Sequence, residues 1–177
     1  PALWQVDGPH GERAWLFGTI HALPDPVDWR SQRVDAAMAE ADRLVMEIAA
    51  IEDSKAIAAE FARLDATPGL PPLAERLPPE QRPQLAAALA RTGIPAGKLD
   101  GSESWAAALM LAQALQNLTG SDSGNGIDRA VARAMRGKRL GELEGAARQL
   151  ALFDGLPESE QRQLLGHAIS GDSDGAA

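Results

Sequence analysis

The sequence predicts a helix-rich α/β fold with a small, mostly parallel or mixed sheet opened by a β-hairpin. Three observations carry this reading. Short apolar runs of strand-forming side chains alternate with longer stretches of helical spacing, the order that builds a sheet covered by helices. Two of those runs sit side by side at the front of the chain, joined by a glycine-proline turn. Alanine is abundant and tyrosine absent among the 177 residues, a composition that suits helices packed through small side chains.

Taken in order, Leu3 to Asp7 alternates apolar and polar residues as a half-buried strand does. Gly8-Pro9-His10-Gly11 is the turn, with His10 solvated, and Ala14 to Ile20 is the returning strand. That run closes on Gly18-Thr19-Ile20-His21, where glycine lets the backbone turn tightly or approach a neighbour closely. His21 then falls where the strand leaves its sheet, the place where open α/β folds gather ligands and catalytic side chains. The plainer reading is that His21 only hydrogen-bonds at a strand end.

Leu23 to Trp29 contains Pro24 and Pro26 and is a loop, either one wall of a pocket or a plain connector. Val34, Ala37, Met38, Ala41 and Leu44 have the spacing of a helix with one buried face, and Ser31 is its N-cap. Leu44-Val45-Met46-Glu47-Ile48-Ala49 reads as a buried strand with a carboxylate in its middle. A carboxylate so placed needs a cation, a donor set or a metal. The alternative is an edge strand with Glu47 in water.

Glu52 to Leu64 is an amphipathic helix, and Pro68, Gly69, Pro71 and Pro72 force a turn-rich connector after it. Leu77-Pro78-Pro79-Glu80 opens a further helix that Gly93 and Pro95 close. Ser104 to Leu118 is apolar nearly all round, so it is buried on most sides or meets a partner, with Trp105 and Met110 in the core. Gly120 to Gly126 reads as a flexible polar loop without a phosphate-binding pattern. Ile127, Ala130, Val131, Ala134 and Met135 mark a helix that Gly137 ends, and Asp128 is assigned no more than a capping role. Arg139 to Gly145 is a short strand leading into a helix that holds Leu150, with Glu144 at the strand's exit. Leu156-Pro157-Glu158 starts the last helix, with Gln161, Leu164, Leu165 and Ala168 on one face and His167 read as a helix-surface residue. Residues 1–169 read as one domain, followed by a small, polar, disordered tail over 170–177.

Composition excludes several classes of function. The formal charge is −8 with acidic and basic residues interspersed, and no basic run is long enough to follow a nucleic-acid backbone. No apolar stretch reaches the length of a membrane span. With no cysteine there is no disulfide, thiolate metal site or cysteine nucleophile. The sequence begins at Pro1, so it reads as processed, trimmed or excerpted, and a removed secretory signal is one possible cause.

His21, Glu47 and Glu144 come from three different predicted strands and would converge at one edge of a parallel sheet. One imidazole with two carboxylates suits a divalent metal that polarises water, and a carboxylate there could instead serve as general base. The plain alternative is three unrelated strand-end residues.

Pro1-Ala2-Leu3-Trp4-Gln5-Val6, Leu16 to His21, Val27-Asp28-Trp29 and Leu44 to Glu47 resemble the start of a TraB/GumN family protein. The resemblance continues through Gly126-Ile127-Asp128, Gly137-Lys138, Leu143-Glu144 and Gln149 to Pro157, so it covers nearly the whole chain. It implies an α/β fold and a metal-dependent hydrolase of protease-like kind, related to the Tiki and erythromycin-esterase-like proteins. The implied cofactor is a divalent ion such as Mn, Co or Zn, and the implied substrate a peptide or small molecule. A periplasmic or secreted location is implied mostly by the resemblance. Gly18, Thr19 and His21 fall in the first of the family's two Gly-x-x-His motifs, and Glu47 and Glu144 match its acidic positions, as metal ligands or general base. The second Gly-x-x-His is absent, since His167 has Leu164 three residues before it. The sequence therefore reads as the front part of a longer enzyme lacking the family's C-terminal portion, or as a degenerate member. In the second case it is a non-catalytic binding module that self-associates or docks through the apolar helix 104–118.

Overall fold

The hairpin forms where the turn chemistry demands it. β1 (Leu3–Asp7) and β2 (Arg13–Phe17) pair antiparallel, with Leu3 opposite Phe17, Trp4 opposite Leu16 and Asp7 opposite Arg13. Gly11 takes φ +89°, a conformation that an L side chain resists, and Gly8 N–H bonds to the Glu12 carbonyl at 2.7 Å to close the turn. Period-two alternation gives the hairpin one face of Leu3, Trp15 and Phe17, all half-buried, and another of Trp4, Val6 and Leu16, all exposed.

The computed structural model describes residues 1–48 and 54–170. They divide into two units, one of residues 1–48 and 120–143 and the other of 54–119 and 144–170. The predicted helix start at Glu52, the end of the apolar run at Ala49 and the tail beyond Ser170 lie outside the described residues.

In the first unit α1 (Gln32–Glu40) starts as the sequence predicts, with Ser31 Oγ accepting from Val34 N–H at 3.3 Å. β3 (Arg43–Met46) pairs in parallel with β4 (Arg139–Glu142), Arg43 lying opposite Arg139 and Met46 opposite Glu142. Among the described residues parallel pairing is confined to these two strands, and the hairpin is a separate antiparallel pair. α5 (Ile127–Ala134) places Ile127, Val131 and the following Met135 against Phe17, Leu23, Trp29, Met38 and Leu44 as the unit's core. Lys138 donates from Nζ to the carbonyls of Met38 (2.6 Å), Ala39 (2.9 Å) and Ala41, so one ammonium caps the end of α1 with all three of its protons.

Here one open alternative is decided and one reading changes. β3 is shorter than the apolar run that encodes it and ends at Met46, so Glu47 follows the strand and is exposed. A two-stranded sheet has only edges, and β3 cannot bury a central carboxylate. Residues 120–126 are held in place along much of their length. Leu23 and Asp122 exchange backbone hydrogen bonds at 3.2 and 2.9 Å, and Asn125 Nδ2 donates to the carbonyls of Leu23 and Pro24 at 3.2 Å each. The polar residues that suggested a flexible loop are spent on clamping the proline-containing segment.

In the second unit α2 (Ser54–Leu64), α3 (Arg82–Thr92), α4 (Ser104–Leu118), α6 (Gly145–Asp154) and α7 (Glu158–Ser170) form a helical assembly. α4 packs on α7, α3 and α6, which accounts for its nearly continuous apolar surface. Trp105 is fully buried, 5.0 Å from the Phe61 ring and stacked on Phe153 at 6.5 Å. α7 supplies the polar partners for the start of α4, since Gln161 Oε1 accepts from Trp105 N–H at 3.2 Å and Glu158 from Ser104 Oγ at 2.8 Å. No helix among the described residues is long and apolar enough to cross a membrane.

Candidate functional site

β2 delivers His21. Gly18 N–H still bonds to the Ala2 carbonyl at 3.0 Å, after which the backbone leaves the hairpin. The Ile20 carbonyl accepts from Ile127 N–H at 2.9 Å, which fixes the segment to the first turn of α5. Gly126 stands at the N-cap of that helix, and a Cβ there would lie 2.3 Å from the His21 carbonyl oxygen and 2.5 Å from Asp128 Oδ1. Only glycine admits so close an approach of the two segments.

The consequence is a His–Asp pair. His21 Nδ1 lies 3.0 Å from Asp128 Oδ2, with the His21 side chain 69 % exposed and that of Asp128 only 7 %. A carboxylate only accepts, so this bond puts the proton on Nδ1 and leaves the Nε2 lone pair free. Among the described residues no protein group engages Nε2, and Asp128 Oδ1 and Arg129 Nε are buried atoms without hydrogen-bond partners. A buried acceptor behind an exposed imidazole is the arrangement of a histidine held ready to take a proton or to ligate a metal.

The other predicted residues are placed differently. Thr19 is half-buried and Gly18 exposed, both on the segment between β2 and His21. Glu47 is the exposed residue just past β3. Glu144 is exposed at the N-terminal boundary of α6, makes no side-chain capping bond there, and belongs to the second unit. Sequence reasoning missed Asp128 and Gly126 as site residues. The available signal was an acidic residue in a first helical turn, two positions after a Gly-x-Gly that no turn rule required.

A family model described as TraB/PrgY/gumN matches residues 2–177. The chain belongs to the TraB/PrgY/gumN family. Neither curated proteins nor solved structures return a match to it. Family membership covers both halves of the His21–Asp128 pair, because the match runs through Gly126-Ile127-Asp128 as well as Gly18 to His21.

The divalent metal that the family resemblance implies can be tested against the donor set. His21 supplies one nitrogen, with Asp128 in the place of a carboxylate that orients a ligating histidine. Among the described residues no group of three or more His, Asp or Glu side chains could hold a metal ion. These residues do not fit a complete metal cage.

Proposed function

We propose that this TraB/PrgY/gumN family member is a hydrolase whose working atom in this chain is His21 Nε2. The observation that supports this is the His21–Asp128 pair, a solvent-facing imidazole backed by a buried carboxylate. Asp128 fixes the tautomer and ring orientation and stabilises the imidazolium that forms when Nε2 takes a proton from water. The protonated ring then returns that proton to the leaving group. A peptide is the proposed substrate class and a periplasmic or secreted location the proposed setting; ligation of Mn, Co or Zn at Nε2 would use the same lone pair, so it stands as an alternative role for His21 and not as part of the proton transfer.

The test is turnover of a fluorogenic peptide library with and without Mn²⁺, Co²⁺ or Zn²⁺, comparing the parent chain with His21→Ala. Loss of about 10²-fold or more in rate supports the reading, in line with what general acid–base groups contribute. Equal turnover in the two proteins sinks it. A rise in melting temperature with metal that His21→Ala abolishes supports the metal part separately.

A second reading, a binding module that self-associates, is favoured by the exposed apolar hairpin face of Trp4, Val6 and Leu16. It expects a concentration-dependent mass in light scattering that Trp4→Lys with Leu16→Lys removes. A monomer at all concentrations counts against it.

A further inference from the structure

We propose that the first unit binds a single-chain amphiphile with a carboxylate head, its apolar body in the cleft between the hairpin and α1 and its head on Arg43. This goes beyond the hydrolase reading, and its test reads binding rather than turnover. The cleft has a volume of about 380 Å³ and is walled by side chains such as Trp15, Phe17, Val34, Met38, Leu44 and Met135. That is the size and character of a small-ligand site. Its only charged lining residues are Arg13, Asp42, Arg43 and Arg139, all exposed, so the walls are apolar and the charges stand at water. A ligand that fills such a hollow has an apolar body and a polar end.

Charge fixes the sign of that end. Arg13 is engaged by Asp7 at 3.0 Å and Glu40 at 2.7 Å, and Arg139 by Asp42. Arg43 lies directly opposite Arg139 across the β3–β4 ladder, and like charges so placed repel. Asp42 answers one of the two. Among the described residues no ion pair or hydrogen bond engages the Arg43 guanidinium. A guanidinium at the rim of an apolar cleft matches a carboxylate through two parallel hydrogen bonds. A neutral alcohol of the same chain length would gain the burial and not the pairing.

The experiment is calorimetric titration of the 177-residue chain with dodecanoate below its micelle concentration, and with dodecan-1-ol as the neutral probe. The expected result is saturable one-to-one uptake of dodecanoate. Arg43→Gln should weaken it at least tenfold while leaving dodecanol binding unchanged, since a hydrogen bond to a charged group contributes that much. Ala41→Phe, which adds bulk to the cleft wall, should weaken both probes. Arg43 is exposed, so its variant tests the proposal even if Ala41→Phe fails to fold. Absence of saturable binding overturns the proposal, as does dodecanoate affinity indifferent to Arg43→Gln. A dimer that dodecanoate does not disturb would assign the cleft to a second copy and overturns it too.

Discussion

His21 Nδ1 and Asp128 Oδ2 stand 3.0 Å apart although 107 residues separate them in sequence, and nearly all the exposure belongs to the histidine. The asymmetry gives Asp128→Asn a definite outcome. An amide donates as well as accepts, so the new side chain can donate an N–H hydrogen bond to Nδ1 and favour the tautomer protonated on Nε2, which occupies the free lone pair. Nitrogen NMR of the imidazole should report the Nδ1-protonated tautomer in the parent and its loss in the variant. Under the proposed hydrolase reading, turnover should fall by about 10²- to 10⁴-fold, with the melting temperature nearly unchanged. Unchanged turnover with a changed tautomer would confine Asp128 to a structural role.

Gly126→Ala tests the approach that makes the pair. The added Cβ would sit 2.3 Å from the His21 carbonyl oxygen, which is backbone and cannot swing aside. The segments must separate, and overpacking of this kind costs about 1–3 kcal/mol. Gly124→Ala is the control, because the nearest atoms to its Cβ are those of the Asp122 side-chain carboxylate, at 3.1 Å or more. We expect a lowered melting temperature and a weakened His21–Asp128 coupling for Gly126→Ala, and a much smaller change for Gly124→Ala.

The contrast between Gly126 and His21 also shows what could be read from the sequence. Helices announced themselves through spacing and punctuation. α4 runs over Ser104–Leu118 as its apolar stretch predicts, and Ser31 and Gly93 stand at the ends of α1 and α3. His21 was legible because a strand-former run, a glycine and a histidine follow one another. Its partner was not, because the pairing is made by tertiary contacts that no local pattern encodes. The Leu23–Asp122 bridge and the Ile20–Ile127 hydrogen bond carry it. For Glu47 the sequence left two readings open, and the structure takes the edge-strand one with the carboxylate in water, for a local reason. The apolar run that holds it continues past the four residues that find a ladder partner on β4.

The Asp7–Arg13 pair gives the hairpin a small acid dependence. Hydrogen bonds from Gln5 and then Arg13 hold the Asp7 carboxyl below its ordinary value of 3.8. A carboxyl whose pKa is lowered on folding adds stability above the unfolded value, and that stability is lost as the pH falls through the folded value. Melting temperatures of the parent should therefore drop below about pH 4 by slightly more than those of Asp7→Asn. The two curves should differ at neutral pH and converge in acid, by a small margin because both side chains are exposed. Parallel curves at all pH would show that the pair contributes nothing.

Arg76 is the most demanding polar group of the second unit. Its side chain is buried, and burial pushes the guanidinium pKa down even though Glu158 and Asp100 act to raise it. It donates to the carbonyls of Pro71 (2.8 Å), Ser102 (2.5 Å) and Asp100, while Asp100 Oδ1 accepts from Leu73 N–H at 2.9 Å. One side chain thus ties the proline-rich 71–76 turn to the 100–102 turn ahead of α4. Arg76→Met keeps the apolar stem and leaves three carbonyls without a donor. Each orphaned acceptor costs about 1–3 kcal/mol, so a loss of about 3 kcal/mol or more is expected. Arg76→Lys keeps the charge but replaces the planar fork with a compact ammonium, and its stability should fall between those of the parent and the Met variant. Denaturant unfolding reads this as a lower midpoint at constant m for both variants. A Met variant as stable as the parent would mean that water satisfies the carbonyls and that the guanidinium is not what holds the two turns together.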